Sequence, residues 1–82
     1  MEKEPLADRI ARFVRDDLGV DEKIDRDLPL ITNGLVDSAG LMRLAVFVER
    51  ETGITIPDRD VTVAHFDTIR QIEAYVAAAR PG

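Results

Sequence analysis

Few residues of this chain could do chemistry, and their pattern narrows the possibilities quickly. Ser38 stands apart by position. A turn signal, Asn33-Gly34, and then Leu35-Val36-Asp37 precede it, and an apolar-periodic helix follows it. A hydroxyl at a loop-to-helix junction is exposed and fixed in direction. Its ordinary task there is to accept a hydrogen bond from a free N–H of the first turn, and that capping role is the expectation for Ser38 from local physics alone. The chain has no cysteine, so it holds neither a disulfide framework nor a thiolate metal site. Its one histidine, His65, makes a histidine-based metal site improbable, and no metal site is expected. A hydrolytic pair of Ser38 and His65 would join residues 27 positions apart with no oxyanion loop in view, so no catalytic residue is assigned. Two acidic pairs, Asp25/Asp27 and Asp58/Asp60, each enclose an arginine. Neither has the alternating oxygen ligands, central glycine and closing glutamate of a calcium loop, so both are read as turn residues.

Charge excludes further classes. The 82 residues carry a formal net charge of −5, which disfavours nucleic acid and anionic membrane as partners. No apolar run approaches the length of a membrane span. Met1-Glu2-Lys3-Glu4-Pro5 is polar and has no signal-peptide apolar segment, so a cytoplasmic location is expected. Met1 at the start and Pro81-Gly82 at the end suggest a free-standing protein, though an excised domain would read the same way.

The elements that must position Ser38 follow from periodicity. Leu6, Ile10, Phe13, Val14 and Leu18 make one apolar face of a helix that starts near Pro5 and ends at Gly19, with Asp8, Arg9, Arg12, Arg15 and Asp16 mostly on a solvated side. Residues 20–37 form a long connection in which Pro29 and Gly34 discourage a helix. Leu28, Leu30, Ile31, Leu35 and Val36 imply that it is pinned across the core. A second helix runs from Ser38 to about Thr52 and is ended by Gly53. Leu41, Leu44, Ala45, Val48 and Thr52 face the core. Ala39, Met42, Arg43, Val46, Glu49 and Arg50 lie opposite, and Phe47, between the two faces, is expected to pack under a loop. Gly53 to Pro57 reads as extended, with Ile54 and Ile56 buried and no partner strand. Pro57 opens a turn, and Val63, Ala64 and Phe66 suggest one short helical turn. Asp67-Thr68 caps a last helix through a capping box with Gln71. Its core face is Ile69, Ile72, Val76 and Ala79, Tyr75 flanks it, and Pro81-Gly82 stops it. The fold class is all-α: a small four-helix bundle of three long helices and one short one.

Gly34-Leu35-Val36-Asp37-Ser38, the helix-spaced Leu41, Leu44 and Val48, Glu49-Arg50-Glu51, and then Gly53-Ile54-Thr55-Ile56-Pro57-Asp58 together resemble the acyl and peptidyl carrier proteins. The likeness covers nearly the whole chain and implies one carrier domain over residues 1–82. It further implies that Ser38, with Asp37 as its motif neighbour, carries 4′-phosphopantetheine through a phosphodiester. A cargo would then be held as a thioester on the terminal thiol, and the carrier itself would catalyse nothing. The implied partners are a phosphopantetheinyl transferase, an adenylate-forming ligase or acyltransferase, and a downstream synthase, met by a monomer. A helix N-terminus tolerates the added phosphate charge. Gly40, which costs about 1 kcal/mol of helix propensity relative to alanine, would let the first turn and a partner approach closely.

Two departures from the carriers of fatty acid synthesis refine the expectation. The second helix is electrically neutral, the chain's negative charge lying in residues 1–37 (net −4) and 54–82 (net −1), and Ala39 is smaller than the usual residue after the serine. The Ser-Ala-Gly-Leu-Met pattern looks more like stand-alone carriers loaded by adenylating ligases. The expectation is a discrete carrier of polyketide or nonribosomal-peptide biosynthesis, an antibiotic-type pathway. The alternatives are a D-alanyl or fatty-acid-type carrier, or a helical interaction module with no prosthetic group. Ala39, Met42, Arg43 and Val46 form the candidate docking face.

Overall fold

A computed structural model describes residues 4–80; the roles expected for Met1, Glu2 and Lys3 and for Pro81-Gly82 lie outside the described residues. Four helices occur in the order α1 (Leu6–Asp16), α2 (Ser38–Thr52), α3 (Val63–Phe66) and α4 (Ile69–Ala79), with a 3-10 turn at Asp58–Asp60. Among the described residues there is no strand. α1 packs on both α2 and α4, and α3 packs on α4. The interior is built from Ile10 and Val14 of α1, Leu44 and Val48 of α2, Phe66 of α3, and Ile69 and Ile72 of α4, joined by Leu30 from the long connection. This is the expected all-α bundle, assembled from the apolar stripes that the helical period requires.

Several side chains sit elsewhere than expected. Phe47 does not lie under a loop: its ring stacks on Phe13 of α1 at 4.4 Å between centroids and 16° between planes. Two rings on facing helices bury each other's apolar surface better than a loop could. Glu49 is not free on the solvent face. Its Oε2 accepts the Ile56 N–H at 2.7 Å, which satisfies a backbone donor of the extended segment after Gly53. Arg9 is half-buried rather than solvated and pairs with Glu51 of α2 at 2.5 Å. Ala79 is exposed, because the last turn of α4 runs past the core. α2 does end at Gly53, which takes φ 78°, a conformation open to glycine and costly for other residues.

The connection at residues 17–37 lacks regular structure, so its backbone donors need partners from outside. Asp67 accepts three of them. The Leu30 N–H donates to the carbonyl oxygen of Asp67 at 2.7 Å. The N–H groups of Ile31 and Thr32 donate to Asp67 Oδ1 at 2.8 and 3.0 Å, and the Thr32 hydroxyl donates to Oδ2 at 2.9 Å. Asp67 therefore does not cap α4. Thr68 alone does so: its hydroxyl accepts from the Gln71 N–H at 3.1 Å, and the Gln71 side chain accepts from the Thr68 N–H at 3.0 Å. Burial by itself would raise the pKa of Asp67. The donors from Thr32, Ile31 and Leu30 outweigh it and hold the carboxyl below its ordinary value.

The pinned loop then shapes the start of α2. Leu30 offers its carbonyl to the N–H groups of Leu35 and Val36, both at 2.9 Å, and so holds Val36 against the bundle. Val36 meets Gly40. A Cβ on Gly40 would lie 2.9 Å from Val36 Cγ1 and 3.3 Å from Asp37 Oδ1. Gly40 is itself buried, so its lack of a side chain serves an internal contact rather than the approach of a partner.

Two predictions follow from these contacts. Asp67→Ala should lower stability by roughly 1–3 kcal/mol, because it strands backbone donors. Asp67→Asn, which keeps an acceptor, should lower it less. The folded-state pKa is depressed, so the ionised carboxylate contributes stability above the ordinary value of 3.8, and that contribution is lost as pH falls through the lower folded value. Urea midpoints measured between pH 7 and pH 3 should fall less steeply for Asp67→Asn than for the parent. In Gly40→Ala, the gain of about 1 kcal/mol in helix propensity should be outweighed by overpacking of roughly 1–3 kcal/mol against a stiff, buried valine. The melting temperature should therefore drop where a solvent-facing glycine-to-alanine change would raise it.

Candidate functional site

The site is built at the first turn of α2. Asp37 is its N-cap, and Asp37 Oδ1 accepts the Gly40 N–H at 2.8 Å. The capping role expected of Ser38 thus belongs to the residue before it. The reason is geometric: Asp37 has extended backbone angles (φ −88°, ψ −176°), so its short side chain reaches the third helical N–H, whereas Ser38 already has helical geometry. Ser38 is exposed, and among the described residues its hydroxyl has no hydrogen-bond partner. The site presents an uncommitted hydroxyl on a rigid helix start, at the positive end of the helix dipole.

Beside Ser38 lies a hollow of about 330 Å³ whose lining includes Leu18, Gly34, Leu35, Asp37, Ala39 and Arg43. It brings one carboxylate and one guanidinium to the same surface. Gly34 takes φ 75°, which lets the chain turn sharply out of the pinned loop before α2. The other members of the expected docking face are also at the surface. Ala39 and Arg43 are exposed, and Met42 and Val46 are each 48% exposed, one turn apart on α2. A stripe of large apolar side chains open to solvent therefore begins one turn from Ser38.

Asp25, Asp27, Asp60 and His65 are engaged in structural contacts. Asp25 Oδ1 accepts the Asp27 N–H at 2.9 Å, and Asp27 in turn pairs with Arg70 of α4 at 2.6 Å. Asp60 Oδ2 accepts the Tyr75 hydroxyl at 2.7 Å. His65 is half-buried on α3 with its ring 5.0 Å from that of Tyr75. Among the described residues, no three acidic, histidine or cysteine side chains come together as a metal would need, and no helix is long and apolar enough to cross a membrane. Two contributions to the site were missed from sequence. The Asp37 cap is foreshadowed by the preference of aspartate for that position. The hold of Asp67 on the loop spans 35 residues and leaves no local trace.

Comparison with known proteins supplies the context for this arrangement. The family described as "Phosphopantetheine attachment site" matches residues 8–76, from within α1 to within α4. A D-alanyl carrier protein of Enterococcus faecalis is 31% identical to this chain over 74 residues, covering 84% of this chain and 95% of that protein. With an all-helical bundle of the carrier type and a family match over most of its length, this chain belongs to the phosphopantetheine-bearing acyl and peptidyl carrier proteins, which hold 4′-phosphopantetheine covalently and are themselves non-catalytic.

Proposed function

We propose that Ser38 is the residue that carries the 4′-phosphopantetheine group. The observation that supports this is the exposed Ser38 hydroxyl at the first position of α2, without a hydrogen-bond partner among the described residues because Asp37 caps the helix. The residues present suit the group. The phosphate would sit at the helix N-terminus, where the dipole favours negative charge, and Arg43 lines the same hollow as the Asp37 carboxylate and offsets it. In the transfer from coenzyme A, the Ser38 oxygen forms a bond to the phosphorus nearer the pantetheine. The P–O bond of the pyrophosphate breaks, 3′,5′-ADP leaves, and the serine proton passes to a base on the transferase. Once attached, the group supplies a thiol that holds cargo as a thioester. The chain itself contains no cysteine, so no other thiol competes for that cargo.

We further propose that residues 1–82 act as one carrier domain loaded by an adenylate-forming ligase or an acyltransferase, and that it serves polyketide or nonribosomal-peptide-type biosynthesis. The neutral α2 and the small Ala39 support this over a fatty-acid role. A second reading, delivery of a D-alanyl group, is supported by the name of the Enterococcus faecalis relative. Partners would dock on Ala39, Met42, Arg43 and Val46. Apolar fit would count for more there than charge, because the helix carries no net charge.

Mass measurement after incubation with coenzyme A and a promiscuous phosphopantetheinyl transferase should show the addition of one phosphopantetheine, and none in Ser38→Ala. A gain that persists in Ser38→Ala would place the attachment elsewhere. The loaded carrier can then be offered to a D-alanine-activating ligase with ATP and D-alanine: rapid D-alanyl thioester formation would favour the second reading over the first. Met42→Glu and Val46→Glu should each change stability by no more than about 0.5 kcal/mol, as expected for surface positions, yet slow loading by the acylating enzyme. Leu44→Ala, one residue away from this face but fully buried, should cost roughly 2–5 kcal/mol, a large part of what so small a domain has.

A further inference from the structure

The exposed stripe on α2 does not stop at Val46. Met42 and Val46 follow Ser38 at successive four-residue steps, so the three lie in line along one side of the helix. Below them the stacked Phe13 and Phe47 bridge α1 and α2. A hollow of about 300 Å³ is lined by Met42, Val46, Phe13 and Phe47, with Arg43, Asp17 and Arg50 at its edge. A second hollow, of about 370 Å³, shares Phe13, Phe47 and Arg50 with it and extends to the Arg9–Glu51 pair. The two make one track between α1 and α2, apolar along its floor and charged with both signs at its rim. Hollows of this size suit a small organic group.

We propose that this α1–α2 track is the resting site of the cargo: an apolar acyl or aryl group, held as a thioester on the arm, lies on Met42, Val46 and the Phe13–Phe47 pair. The inference rests on Ser38 as the attachment residue. Reach supports it. Phe47 is nine residues from Ser38, about 13.5 Å along the helix. An extended arm of about fifteen bonds spans about 18 Å, taking about 3.6 Å for every three bonds of a chain. The arm is therefore long enough for its thioester end to reach the aromatic pair. Tethering supports it too. A short flexible arm holds its end at millimolar effective concentration, so affinity of that order is enough to keep the cargo seated about half the time. The competing place is the bundle interior, and it is closed: Leu44, Phe66 and Ile72 have no exposed surface. Entry there would require core side chains to part, whereas the track is already open. The rim carries both signs, which gives a charged cargo no clear preference and leaves the apolar floor as the discriminating feature. A partner that docks on Met42 and Val46 displaces the cargo by the same contact.

The test uses the full chain loaded by a promiscuous transferase from acetyl-, hexanoyl- and phenylacetyl-coenzyme A, with mass confirming each adduct at Ser38, and the conformation read by nuclear magnetic resonance. The hexanoyl and phenylacetyl adducts should shift the Met42 and Val46 methyl and the Phe13 and Phe47 ring resonances, and should give cross-relaxation between cargo protons and the Phe47 ring. The acetyl adduct and the unacylated carrier should not. Phe47→Leu, which keeps an apolar side chain on α2 but removes the ring stack on Phe13, should shrink the cargo-dependent shifts of the Met42 and Val46 methyl resonances while retaining the dispersed spectrum of a folded chain. Cross-relaxation from the cargo to Leu44 or Ile72, or cargo that leaves every protein resonance unmoved, overturns the resting site with the attachment site intact. A missing mass gain at Ser38 overturns the attachment site, and the resting site with it.

Discussion

A side chain near the end of the sequence holds the middle of it in place. The carboxylate and carbonyl of Asp67 together accept hydrogen bonds from Leu30, Ile31 and Thr32, in a connection that has no ladder or helix of its own to satisfy them. Those bonds fix Leu30 in the core, Leu30 fixes Leu35 and Val36 through its carbonyl, and Val36 seats against the bare backbone of Gly40. Gly40 in turn receives the Asp37 cap. The direction of the Ser38 hydroxyl is therefore the last step of a series of contacts that begins between α3 and α4. A buried carboxylate with three backbone and hydroxyl donors on it is well placed to begin such a series, since each missing bond would leave a polar group unsatisfied away from water.

What could be read from the sequence and what could not divide along one physical line. The helical periods of α1, α2 and α4, the stop at Gly53 and the capping box of Thr68 and Gln71 depend on neighbours within about four residues, and all were legible. The ring stack of Phe13 and Phe47, the bond from Ile56 to Glu49 and the reach of Asp67 depend on how elements meet in space. Phe47, Glu49 and Asp67 each have another locally plausible job: a loop contact, a solvated face, a cap. The capping of α2 was a nearer miss, by one residue, because serine and aspartate are comparably good caps and the backbone angles decide between them. At the site itself, Ser38, Ala39, Met42, Arg43 and Val46 were all correctly expected at the surface. The aromatic pair that extends this surface onto α1 was not, since it needs two helices to exist.

The surface beside Ser38 differs in kind from the rest of the molecule. The chain as a whole is acidic, yet α2 is neutral, and its exposed side chains include two large apolar ones and two arginines. Long-range attraction to a basic enzyme would act through the acidic connection at residues 17–37 rather than through α1 or the exposed face of α2. Charge would then govern how fast partners meet, and the fit on Met42 and Val46 would govern which of them stay.

The division of labour between Asp37 and Ser38 has one more consequence. A hydroxyl whose oxygen caps a helix becomes a poorer acceptor once it is esterified, so modification there would loosen the first turn. Here the cap belongs to a neighbour whose chemistry is left untouched. If Ser38 is the residue that is modified, the cap survives the modification, and bare and decorated forms of the protein can share one folded state.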